Sequence, residues 1–251
     1  MSGERKQLEL HTRLTKTVVE INGDCPDPTP EDENKRKYFH MIGTIVVAAP
    51  DFCFVVVKSS LIEKRGIYTI NRDGKSINIR AEDFILSTGT LAGFYLYHHQ
   101  LPYDIEKVEA VVFGEEVELF DVVYLCDLTF GLTELSFDLT DGHVMDTDGV
   151  NFVHNCAQSL HTGQGAPVFS GKGKLVGLCM LNIQGPSIAL TVTQIKQNLM
   201  RIYKTKTLEK FFEEVWASAG NAKAPASAMV QPGEQKAGVL DETMKGEGGA
   251  A

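Results

Sequence analysis

Up to about residue 190 the chain is a succession of short apolar runs, rich in β-branched and aromatic side chains and divided by turn residues. This is the pattern of antiparallel strands. In the first half the runs cover residues 14–21, 38–47, 52–57, 67–70, 77–79, 94–97 and 108–113. Ala48, Ala49, Pro50 and Asp51 separate two of them as a turn with proline at a favoured position. Asp73-Gly74 between two others is a hairpin signal. About six strands suffice to close a small barrel and so remove exposed sheet edges. The second half repeats the pattern at residues 117–125, 131–137, 149–159, 167–169, 175–181 and 187–190. The predicted fold is therefore all-β, with two six-stranded antiparallel barrels.

The period changes near Thr191. Val192, Ile195, Leu199 and Ile202 recur at three- and four-residue steps, the stripe of an amphipathic helix, with Thr191 placed as its cap. Phe211, Phe212, Val215 and Trp216 give a further short helix the same kind of apolar side. The expected organisation is a charged, disordered arm over 1–13, a first barrel over 14–113, and a second barrel with its terminal helix over 114–203. A short helix over 204–217 and a disordered Ala-, Gly- and Pro-containing tail over 218–251 follow. Residues 22–36, with three prolines and many acids, read as a long exposed loop.

Composition narrows the function classes. With 251 residues and 43% hydrophobic content, the chain can bury one substantial core or two small ones. It has no run of eighteen apolar residues and a polar, charged start, which predicts neither a transmembrane helix nor a secretory leader and hence an intracellular protein, cytoplasmic or nuclear. Five cysteines at wide spacing fit reduced core thiols. A net charge of −9, with the densest basic group (Lys35, Arg36, Lys37) offset by Glu31, Asp32 and Glu33, argues against a nucleic-acid partner.

Candidate chemistry centres on residues 161–178. Gly163, Gly165 and Ala166 let the backbone bend sharply, Pro167 starts an extended run, and a Ser-Gly-Lys-Gly turn leads to a second apolar run. This order resembles the nucleophile loop and following hairpin of trypsin-like serine proteases, whose pattern there is Gly-x-Ser-Gly-Gly-Pro. With Pro167 as anchor, Gly165 matches, Ala166 nearly matches, Thr162 takes the place of the first glycine and Gln164 that of the serine. Glutamine offers no hydroxyl or thiol for a base to activate. A β-branched Thr162 resists the positive φ that glycine allows, which weakens the oxyanion-loop positions Thr162, Gly163 and Gly165 as donors. The resemblance spans residues 14–203. It puts Ser60 where the family has its catalytic histidine, at the end of a buried strand, and Asp104 where the family's aspartate opens a strand.

The resemblance therefore implies a catalytically inactive homologue that binds a protein or peptide at the cleft between two barrels, with no cofactor, metal, nucleic acid or membrane involved and with its oligomeric state open. Two alternatives stay in view. One is an active serine endopeptidase with Ser59, Ser60, Ser159 or Ser170 as nucleophile and one of the seven histidines as base. The other is a structural scaffold whose tail engages partners. His98 and His99 read as a surface pair, because adjacent strand residues face opposite ways. His154, Cys156, His161 and Cys179 carry ligand chemistry suited to zinc, but their spacing favours buried thiols over a metal site.

Overall fold

The computed structural model describes residues 2–26, 36–72, 75–97, 108–130, 135–157, 164–182 and 186–221. Among the residues singled out from the sequence, His98, His99, Asp104, Ser159, His161, Thr162, Gly163 and most of the 218–251 tail lie outside them.

Strands β1 (Val18–Pro26), β2 (Arg36–Ala48), β3 (Phe52–Lys58), β4 (Ile67–Arg72), β5 (Lys75–Arg80), β6 (Ile85–Leu86) and β7 (Leu91–Tyr97) form one antiparallel sheet in the order β5-β4-β1-β2-β3-β7-β6. Its interior strand β3 is apolar from Phe52 to Val57 without alternation because both faces are covered. Cys53, Val55 and Val57 pack with Ile21, Met41, Tyr68, Ile79, Phe84 and Phe94 in a core enclosed by the sheet itself. Phe52, Phe54 and Val56 join the second core, which runs on into the other half of the molecule.

The first half thus corrects the expectation of a closed six-stranded barrel. It is a seven-stranded sheet curled round its own core, and its end strands β5 and β6 do not pair. The 3-10 turn Ala81–Asp83 and the loop at 87–90 leave β6 two residues, too short for a closing ladder. The run at 108–113 is not a strand of this sheet. It is a strap between the halves: Glu109 N donates to Lys16 O (3.1 Å), Val111 N to Ile45 O (2.9 Å), Leu175 N to Val112 O (2.7 Å) and Gly114 N to Leu175 O (2.7 Å).

The second half closes as expected. β8 (Val122–Phe130), β9 (Leu135–Thr147), β10 (Asn151–His154), β11 (Pro167–Ser170), β12 (Leu175–Asn182) and β13 (Ser187–Thr191) form an antiparallel six-stranded barrel in the order β10-β13-β12-β11-β8-β9. Helix α2 (Val192–Ile202) begins at Thr191, whose hydroxyl accepts from Gln194 N, and buries the predicted stripe. Helix α3 (Leu208–Asn221) seats Phe211 against Phe54 (ring centroids 5.8 Å apart) and Trp216 against Phe52 (5.2 Å).

At the other end, where a disordered arm was expected over 1–13, Ser2–Leu14 forms helix α1. Its sequence is dense in good helix formers, and Leu10 and Leu14, one turn apart, pack against the core. No helix among the described residues is long and apolar enough to cross a membrane.

Candidate functional site

Gly165 is where the turn before β11 meets the first sheet. Its φ is +87°, and a side chain there would bring Cβ within 2.8 Å of Ile42 O on β2, so both backbone and space demand glycine. Gly165 N donates to Cys179 O (2.7 Å) and Cys179 N to Ala166 O (2.8 Å), tying the turn to β12. Its amide is therefore engaged within the barrel. Gln164, one residue earlier, is thereby held half-buried between the halves.

The first-sheet residue that reaches it is Lys58, the last residue of β3. Lys58 Nζ donates to Gln164 Oε1 (2.8 Å) and to Met180 O on β12 (2.7 Å). Partial burial lowers the pKa of its amine, with the neighbouring Cys179 acting weakly in the opposite sense. Both acceptors are neutral. Among the described residues no carboxylate forms an ion pair with Lys58.

Ser60 lies two residues further on, exposed in the 3-10 turn Ser59–Leu61. Ser59 faces the start of β7: its N donates to Thr90 O (2.9 Å) and its hydroxyl to Gly89 O (3.1 Å). The strand that opens beside Lys58 is β7, with Lys58 opposite Leu91 and Thr90 immediately before it. Thr90 is fixed in turn by the buried Asn198 of α2, whose Oδ1 accepts from Thr90 N (2.8 Å) and Thr90 Oγ1 (3.3 Å). Lys58 and Gln164 thus meet at the junction, with Thr90 held by Asn198 beside the end of β3, whereas Asp104, Thr162 and Gly163 fall outside the described residues.

The run 52–57 is recovered as β3, whose last residue is Lys58; the resemblance points instead to Ser60, two residues beyond. The sequence signal was present as the change from Val57 to a charged side chain, which marks where β3 leaves the core. Ser170 ends β11 with its hydroxyl accepting from Lys174 N (3.4 Å), a turn role. Among the described residues no histidine is hydrogen-bonded to Ser59, Ser60 or Ser170.

His154 is fully buried on β10, and among the described residues neither ring nitrogen has a hydrogen-bond partner; Ser187, its register partner on β13, is likewise buried with no partner for its hydroxyl among them. Burial pushes the His154 pKa down to about 4. Cys156 donates to Val123 O (3.7 Å), and burial pushes its thiol up to about 12. Among the described residues no three His, Cys, Asp or Glu side chains are grouped to hold a metal ion.

These features define a mostly β protein built of a curled sheet and a closed barrel, with a polar lysine–glutamine contact at their junction. No family model matches the chain, and no curated protein matches it.

Proposed function

We propose that the chain is a catalytically inactive relative of the trypsin-like serine proteases that acts as a protein- or peptide-binding module at the junction of its two halves. The observation that carries this reading is the 2.8 Å contact from Lys58 Nζ to Gln164 Oε1. A trypsin-like site needs an imidazole beside a hydroxyl at that place. An ammonium beside a carboxamide supplies neither a nucleophile nor the base that would activate one. The same pair suits recognition: an ammonium carries three donors, and two are satisfied by Gln164 and Met180, which leaves one for a peptide carbonyl or carboxylate.

A fluorophosphonate probe, which labels activated serines, is expected to leave the natural chain and Gln164→Ser unlabelled. The shorter serine side chain falls short of Nζ, which stays held by Met180 O. Labelling of the natural chain overturns the reading. Peptides selected from a random library against the full chain should lose roughly tenfold in affinity on Lys58→Met, the cost of one lost charge-assisted contact.

A further inference from the structure

The charge of this chain is segregated. Residues 108–171 contain eleven Asp and Glu and no Lys or Arg, so this one stretch carries more negative charge than the −9 of the whole protein. Much of it runs along the outside of the second barrel. Phe120 N donates to Val144 O (2.9 Å) and Val144 N to Asp121 O (3.0 Å), which lays residues 118–121 against β9. Glu116 accepts from Thr193 N (3.1 Å), and Thr191 N donates to Val150 O (3.1 Å), so the start of α2 links this segment to the β9–β10 turn.

On this face Leu119, Phe120, Val122, Met145 and Val150 are exposed, among exposed acids that include Glu115, Glu118, Asp121, Asp146 and Asp148. Phe120 is 70% exposed and has a φ of +70°, a left-handed backbone that a phenylalanine adopts at a cost and that glycine adopts freely. Since its ring contributes little to the core, folding gives no reason for an aromatic residue there. Apolar anchors within a rim of one charge sign are how a docking surface is built.

We propose that this face docks a lysine- or arginine-rich segment of another protein, with Phe120 as the central apolar anchor. Charge decides the occupant. A second copy would set acid against acid, and the chain's own residues 222–251 hold three lysines against four acids, no match for such a surface. Nucleic acid and anionic membranes are repelled by the same field. The proposal is independent of the lysine–glutamine junction.

The test measures binding of a fluorescent amphipathic Leu/Lys peptide to the full-length protein, with the corresponding Leu/Glu peptide as control. The Leu/Lys peptide should bind, and more weakly as salt is raised. Phe120→Gly should lower its affinity at least roughly tenfold while raising the melting temperature, since glycine relieves the backbone and the fold loses no packed ring. Such a gain in stability separates loss of binding from loss of folding. Glu115→Lys combined with Glu118→Lys should weaken binding similarly, whereas Lys58→Met should leave it unchanged. Any of four results overturns the proposal: unaltered binding by Phe120→Gly, equal binding of the Leu/Glu peptide, loss of binding in Lys58→Met, or a dimer of the natural chain that Phe120→Gly dissolves.

Discussion

His154 shows how much a single buried position sets. Its imidazole is fully enclosed and without a hydrogen-bond partner among the described residues, so the neutral form is the one the barrel tolerates, and its pKa falls from the usual 6.5 to about 4. The unfolded chain therefore binds this proton at a higher pH than the folded one. Stability is fully present above about pH 6.5 and declines as pH falls toward 4, by roughly 3 kcal/mol from this group. Denaturant titrations across that range should show the decline, and His154→Leu should remove this component while leaving stability at neutral pH unchanged or higher, because no buried nitrogen is then left unpaired. A natural chain as stable at pH 4 as at pH 7 contradicts the account. Lys58 is the complementary case at the junction. Its amine keeps two neutral oxygens as partners, one of them the side chain of Gln164 from the other half of the molecule.

Among the elements, α2 acts as the clamp between the halves. It follows β13 of the closed barrel, starts at the Thr191 cap, and sends Asn198 across to the loop before β7 of the curled sheet. Asn198 also donates to Gln194 O (2.8 Å), so its amide is used on both sides. Gly89 has no room for a side chain, because a Cβ there would lie 2.1 Å from Asn198 Oδ1. Asn198→Ala leaves the part-buried Thr90 amide without its acceptor and should cost roughly 2 kcal/mol, read from the shift in chemical denaturation midpoint. Because Thr90 immediately precedes β7, whose first residue Leu91 pairs with Lys58, the same change should also speed hydrogen exchange at residues 89–91. Unchanged exchange there would separate the helix from the junction.

At the scale of the molecule, one core crosses the boundary between sheet and barrel: Ile42, Val46 and Phe54 from the first half share it with Val123, Leu125 and Phe169 from the second. The two halves should therefore unfold together, with the fluorescence of Trp216 on α3 and the far-ultraviolet circular dichroism following a single transition. Two resolved transitions would mean that the strap at 108–114 joins independent domains. The sequence by itself determined the local units. Turn residues and β-branched runs marked the last four strands of the second barrel, and the spacing of Val192, Ile195, Leu199 and Ile202 marked α2, because period and punctuation are properties of neighbouring residues. The first two runs, at 117–125 and 131–137, overlap β8 and β9 only in part, and Asp141-Gly142-His143, which has the composition of a turn, lies inside β9 paired with β8. The sequence also placed a sharp bend at Gly165, where φ is +87°, but did not show that the Gly165 amide is taken up by Cys179 O inside the barrel. Only the tertiary structure decided what those units enclose. The first sheet stays open because β6 has two residues, the run at 108–113 bridges the halves, and Leu10 and Leu14 give the charged N-terminal residues a helix with a face to bury. The meeting of Lys58 with Gln164 across 106 positions of chain belongs to the same class. Such contacts depend on how far one strand runs before leaving the core and on which distant backbone lies beside it, and no local pattern encodes either.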